Sequence, residues 1–379
     1  MSEMIYLDNN STTPLLSEAW EAMQPYFLTS WGNPSSSYRF GAQVKSGVED
    51  AREQVANLIG AQANEVLFTS SATESNNSGI DAALKASPGK RHIVTSSIEH
   101  SAVLNYCKSA EQRGYKVTYL KVGMSGAVNI EELTKVITKD TAVVTIMWAN
   151  NETGVINPMG EIAEVCKDRG VLLHCDAAQA VGKVKVDLSE LQINYLTISA
   201  HKMYGPKGIG ALFIKKGTPF EAMVIGGRQE NGRRGGTENV PAIIGFGKAA
   251  EVAQAQLGKR RETVSSLRDT LESRIKEEIP SLEIYGQNSE RLPNTTNIGF
   301  AGINADSMVA YLDSQGICVS SGSACVAQAL APSHVIQAMT QSIAKAKEAV
   351  RFSLSHNNTE AELKMVLNTV KKGYGSLKQ

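Results

Sequence analysis

The residues best suited to chemistry stand together at Ser199-Ala200-His201-Lys202, directly after the apolar run 195–198. That run reads as a buried strand, and the Gly/Pro-punctuated stretch 205–210 as a loop before a second apolar run, 209–214. A lysine at the dry end of a strand is desolvated, which lowers its pKa and frees the amine to condense with a carbonyl group. Taken alone, a surface lysine in a turn is the better reading. Lys207 and its glycines imitate a phosphate loop, but Gly-x-x-x-x-Gly-Lys-Ser/Thr is missing. A second strand end breaks the tie: His174-Cys175-Asp176-Ala177-Ala178-Gln179 follows the apolar 171–173. An acid and a lysine at the ends of two strands of one sheet suit pyridoxal 5′-phosphate, which needs a carboxylate on its pyridine nitrogen and a lysine on its aldehyde.

Four motifs carry a resemblance. Ser-x-His-Lys at 199–202, Asp-Ala-Ala-Gln at 176–179, Glu99-His100 and Ser-Ser-Gly-Ser-Ala-Cys at 320–325 together resemble the cysteine desulfurases, pyridoxal-phosphate enzymes of fold type I in the class V aminotransferase group. The likeness runs from Leu7-Asp8-Asn9-Asn10 to Arg351-Phe352-Ser353, and the cysteine motif selects the desulfurase branch. It implies that Lys202 holds the cofactor aldehyde and later moves the substrate α-proton. Asp176 pairs with the ring nitrogen, Gln179 with the phenolic oxygen, and His100 stacks on the ring and helps proton transfer. Ala72, Thr73, Ser199 and His201 bind the phosphate, and Asn150 lies near cofactor and substrate. Arg351 takes the carboxylate of L-cysteine, and Cys325 is the catalytic thiol that leaves as a persulfide. Thr237 reaches the phosphate of a partner subunit, which implies an obligatory homodimer with composite sites. One departure stands out: after Asn33-Pro34-Ser35-Ser36 the family usually carries a histidine two positions on, where this chain has Tyr38.

The residues support parts of this independently. Ser320-Ser321-Gly322-Ser323-Ala324 is small, polar and flexible, an unfavourable setting for a core cysteine, so Cys325 is read as a mobile thiol. Cys107, Cys166, Cys175 and Cys318 are expected to be buried and inert. A planar guanidinium such as Arg351 pairs two-pronged with a carboxylate. His174, Cys175 and Asp176 invite a metal, but alternate strand residues face opposite ways and no second ligand pair follows at metal spacing, so no metal is expected.

The elements that must position these residues alternate. Strands are expected at 65–69, 92–95, 116–120, 142–147 and 171–174, and helices at 17–27, 43–59, 70–85, 102–113, 130–137 and 161–169. This pattern predicts an α/β fold with a mostly parallel sheet sandwiched by helices, the large domain of a fold-type I transferase. In such sheets ligands gather beyond the carboxyl ends of strands, where His100, Asn150, Asp176, Gln179 and Lys202 all fall. The junction at 69–76 offers unpaired helix N–H groups to an anion, although Ser/Thr caps are common in their own right. The Gly/Arg-rich stretch 226–237 is too short and lacks the aromatics of a nucleic-acid binder, so direct nucleic-acid contact is not expected. It leads into a helix at 239–257; the charged run 259–276 reads as a solvated helix face. Strands at 282–284, 295–300 and 349–354 with helices at 306–313 and 360–374 form a smaller α+β domain. The expected division is a cofactor domain at 15–258 and a small domain at 1–14 and 259–379 bearing the cysteine loop.

Composition fits this. The 379 residues hold 38 basic and 38 acidic side chains, so no net field selects nucleic acid or membrane surface. The longest apolar stretch, near 142–149, is far short of a membrane span, and the first ten residues contain Glu3 and no long apolar core. Five cysteines without a CxxC pair suit a reducing cytoplasm. The expected reaction is conversion of L-cysteine to L-alanine with sulfur passed to an acceptor protein, an iron–sulfur scaffold or a thiolation enzyme. A selenocysteine lyase or aminotransferase of the same fold is the alternative enzyme, and a non-catalytic pyridoxal-fold scaffold the alternative class.

Overall fold

A computed structural model describes residues 4–322 and 332–378. Cys325 lies outside the described residues.

Seven strands form the central sheet, in the order Val66–Thr69, Gly210–Ile214, Tyr195–Ser199, Leu172–Asp176, Thr141–Thr145, His92–Ser96, Lys116–Leu120. All are parallel except Gly210–Ile214, which runs antiparallel to both neighbours. Thr141–Thr145 is buried throughout, as a parallel strand covered on both faces must be. Helices lie against both faces, and both large apolar clusters draw on one strand: Val144 belongs to one, Ala142 and Val143 to the other.

The helix expected at 239–257 does not end there. One continuous helix, Val240–Glu278, runs for 39 residues, about 58 Å at 1.5 Å per residue. Its charged second half is amphipathic rather than merely solvated. Ile243, Phe246 and Ala250 pack in the large core, while Val264, Leu267, Leu271 and Ile275 pack in a separate cluster with Ile5, Leu7, Ile298, Phe300 and Phe352. The division expected at 258/259 thus falls inside an unbroken helix. The second cluster sits under the antiparallel sheet Ala349–Ser353, Thr295–Gly299, Glu283–Ile284 and the short parallel pair Ile5–Tyr6 with Ile317–Cys318. Two helices that sequence periodicity did not indicate, His334–Thr340 and Ile343–Lys347, complete this region.

The N-terminal segment ties the two regions together. Leu7 and Asn9 bond with Cys318 and Ser353 through their backbones, whereas Thr13 and Leu16 donate to His201 and Tyr204. Among the described residues no helix is long and apolar enough to cross a membrane.

Candidate active site

A cavity of about 390 Å³ opens beyond the carboxyl ends of the parallel strands, lined among others by Lys202, Asp176, His100, Thr73, Ser199 and Arg351. Each strand delivers one piece. Tyr195–Ser199 ends on Ser199, and a single 3-10 turn, Ala200–Lys202, brings His201 and Lys202 to the floor. The Lys202 amine donates to the carbonyls of Asn10, at 2.7 Å, and Ser11, at 2.6 Å. Burial, and then the Arg351 guanidinium, lower its pKa to about 8, with Asp8 and Asp176 opposing. This is the amine near neutrality that the strand-end position suggested.

Asp176 ends Leu172–Asp176, its Oδ2 accepting from Asn76 Nδ2 at 2.7 Å and its Oδ1 from Ala178 N at 3.0 Å. Gln179 follows on the next turn; its Nε2 donates to Asn10 O at 2.9 Å. His100 caps the helix Ser101–Gln112, with Nδ1 accepting from Ala102 N. That bond leaves Nε2 to carry the ring proton when the imidazole is neutral. Desolvation lowers the pKa of His100 despite its open side toward the cavity. Burial first, then Lys202, Lys207 and Lys183, push His201 down to about 4, and its Nδ1 lies 3.1 Å from Thr12 Oγ1.

The start of the helix Ala72–Lys85 forms one wall through Ser71, Ala72 and Thr73. Ser71 caps it by accepting from Glu74 N, and the other first-turn N–H groups lack intrahelical partners. Gly210 lets the neighbouring strand come against this turn: a Cβ there would lie 2.8 Å from Ser71 C and 3.0 Å from Ala72 N. The result is an anion cradle at a helix N-terminus, completed by Ser199 and His201. Opposite stands Arg351, 1% exposed. Its Nη2 donates to Asp8 Oδ1 and Ser11 Oγ, its Nη1 to Asn151 O, while its buried Nε lacks a partner. An amine near neutrality, a buried carboxylate, an anion cradle and an arginine with an unused N–H are the donor set that pyridoxal phosphate with an amino-acid substrate requires.

Two expectations, for Asn150 and Cys318, need restatement. Asn150 does not line the cavity: its amide donates to Ile98 O and accepts from the N–H groups of Glu152 and Thr153, so it shapes the loop from behind. Its neighbour Asn151 lines the cavity instead. Thr237 lies away from Lys202 in a separate hollow with Phe68, Ser70, Glu230 and Arg234. The loop leading to Thr237 is tied down by buried Glu230, which pairs with Arg52 at 2.7 Å and takes the N–H of Phe68. Cys107, Cys166 and Cys175 are buried, but Cys318 is only half-buried. Burial pushes Cys107 and Cys166 up to about 12, away from reactivity.

Reasoning from motifs missed Asn10. Its carbonyl accepts from both Lys202 and Gln179, and its side chain bonds Asn151, Thr295, Asn294 and Lys183. The signal was the polar Asp8-Asn9-Asn10 after a short apolar run, which marks a loop but not its destination.

Fold and site together define a pyridoxal-phosphate-dependent transferase: a mostly parallel sheet with a lysine, an acid and an anion cradle at its carboxyl edge. The family model for aminotransferase class-V matches residues 5–366, and the chain belongs to that family. A curated relative, "Cysteine desulfurase 2" of Trichormus variabilis, is 50% identical over 364 residues, covering 96% of this chain and 91% of the relative. A solved structure described as a NifS-like protein superposes with a TM-score of 0.93 at 36% identity, covering 99% of this chain and 100% of its own. Another, SspA in complex with cysteine, gives a TM-score of 0.82 at 34% identity over 94% of this chain and 100% of its own.

Proposed function

We propose that this chain is a cysteine desulfurase that converts L-cysteine to L-alanine and passes the sulfur to an acceptor protein. The observation that carries this reading is that Lys202 and Arg351 share one cavity: an amine poised near neutral pH beside a buried guanidinium whose Nε has no partner. The relatives named as cysteine desulfurases support it over nearly the whole chain. Bound in the cavity, pyridoxal phosphate supplies an electron sink for the α-carbon of the substrate. Asp176 holds its ring nitrogen, Gln179 its phenolic oxygen, His100 its ring face, and Ala72, Thr73, Ser199 and His201 its phosphate. Arg351 takes the substrate carboxylate, and Asn151 borders the same space.

Lys202 removes and returns the α-proton, for which a pKa of about 8 suits an amine working near neutrality. Cys325 supplies the nucleophile. Its thiolate attacks the substrate sulfur; the S–S bond forms, the Cβ–S bond breaks, its electron pair stays with carbon, and carbon takes a proton to become alanine. The described chain approaches this point from the arginine: Ser320 and Arg351 exchange both backbone hydrogen bonds, at 3.1 and 2.7 Å.

Thr237, exposed in its own hollow, serves the phosphate of a second copy, so the working form is a homodimer. The acceptor is an iron–sulfur scaffold or a thiolation enzyme, and three buried unpaired cysteines suit the cytoplasm. The test is alanine and persulfide formation from cysteine by the holoenzyme. Cys325→Ser should stay yellow and bind cysteine yet form no persulfide, and Lys202→Ala should lose the visible band. Full sulfur release by Cys325→Ser contradicts the assigned nucleophile. Keto-acid formation in place of alanine favours an aminotransferase.

A further inference from the structure

We propose that Lys183 is a positioning residue for the cofactor: from behind the cavity it clamps Gln179 so that the amide presents a donor, not an acceptor, to the phenolic oxygen. The inference rests on the reading that Gln179 faces that oxygen.

Lys183 sits four residues after Gln179, on the turn that follows Leu172–Asp176. Its aliphatic stem is partly exposed, but its amine points inward, donating to Gln179 Oε1 at 2.5 Å and to Asn10 Oδ1 at 2.9 Å. Asn10 Oδ1 and Gln179 Oε1 are both acceptors, so the amine directs N–H groups at them whether or not it carries a charge. On the other side, Gln179 Nε2 meets the carbonyl of Asn10, which can only accept. Two contacts of opposite polarity thus fix one amide in one sense. One Nε2 hydrogen goes to Asn10 O, and the second is left for the cavity that Gln179 lines. Asn10 is held in turn: its Nδ2 donates to Asn151 O at 3.1 Å and to Thr295 Oγ1 at 2.8 Å, so its Oδ1 faces Lys183.

No carboxylate lies within ion-pair distance of Lys183 among the described residues. Burial, and then Lys202 and Arg351, lower the pKa of Lys183 well below the ordinary lysine value, and the neutral amine still has two N–H groups for the two oxygens it faces. A side chain that served only to fill space there could be apolar. Lys183 also borders a second, smaller hollow together with Lys202, Arg260 and His356.

The test is the pH titration of visible absorbance in the cofactor-loaded protein. A donor on the phenolic oxygen favours the chromophore form that has shed its proton, so weakening that donor raises the midpoint. Lys183→Met keeps the length and loses the donor; its midpoint should rise by about one pH unit. Lys183→Arg, which keeps N–H donors, should restore the wild-type midpoint, a rescue that loss of folding would not show. A wild-type midpoint in Lys183→Met overturns the proposal, as does an equal rise in Lys183→Arg. Gln179→Leu tests the reading underneath: if it leaves the midpoint unchanged, Gln179 does not face the phenolic oxygen, whatever Lys183 does.

Discussion

Arg351 Nη2 lies 2.6 Å from Asp8 Oδ1, an ion pair between residues 343 positions apart that forms beside the cavity holding the Lys202 amine. The arginine lowers the pKa of Lys202 and the aspartate raises it. On top of burial, the pair therefore acts on the charge of the Lys202 amine from two sides.

In the cofactor-free protein, Arg351→Gln is expected to raise the Lys202 pKa above about 8, and Asp8→Asn to lower it. The pH dependence of the reductive methylation rate at Lys202 reads both. The same group contributes to stability. Its folded value, about 8, lies below the ordinary 10.5. Between these limits the unfolded chain binds more protons, so stability rises with pH across that window. Lys202→Met should flatten the rise in urea midpoint between about pH 8 and pH 10. An unchanged slope would remove the buried charge from the account.

Glu99 is fully buried, and desolvation raises its pKa to about 8 even though the Ser96 hydroxyl and the Met147 N–H donate to it. The folded chain keeps this proton through the range from 4.5 to about 8, where the unfolded chain sheds it. Stability is accordingly lost as pH rises through that range. Glu99→Gln preserves the size, an acceptor for Met147 N and a donor to Ser96 Oγ. It should gain about 1–3 kcal/mol relative to wild type between about pH 5 and pH 8.5, measured by urea unfolding. Parallel pH profiles for the two proteins would mean that Glu99 is ionised in the fold.

Gly210 matters for its missing Cβ rather than its backbone freedom. An added methyl meets Ile198 O at 2.8 Å, Ser71 C at 2.8 Å and Ala72 N at 3.0 Å, all backbone atoms that cannot rotate away. Gly210→Ala should push the start of the helix Ala72–Lys85 out of place and weaken pyridoxal-phosphate binding about tenfold or more. Circular dichroism should be little altered, since the strand and helix survive. Fluorescence titration of the apoprotein checks this, and unchanged affinity would separate the helix start from the phosphate.

What the sequence determined is what short stretches encode. Apolar runs such as 142–147 and 195–198 announce buried strands, because a strand covered on both faces must be largely apolar. Their alternation with helices gives the parallel sheet, and the parallel sheet puts Asp176 and Lys202 at one edge. Helix continuity through 258 was hidden because the charged run exposes most of its residues, and only the packing of Val264, Leu267 and Leu271 against a second core shows why it stays helical. The choice between Asn150 and Asn151 was likewise out of reach: neighbours in a loop point different ways, and the hydrogen bonds of Asn150 to Ile98, Glu152 and Thr153 form only once the chain is folded. Tertiary structure alone decided the company of Lys202. Asn10 and Asp8 arrive from the first strand region and Arg351 from the last, and contacts over such separations leave no local period or spacing by which a linear reading can find them.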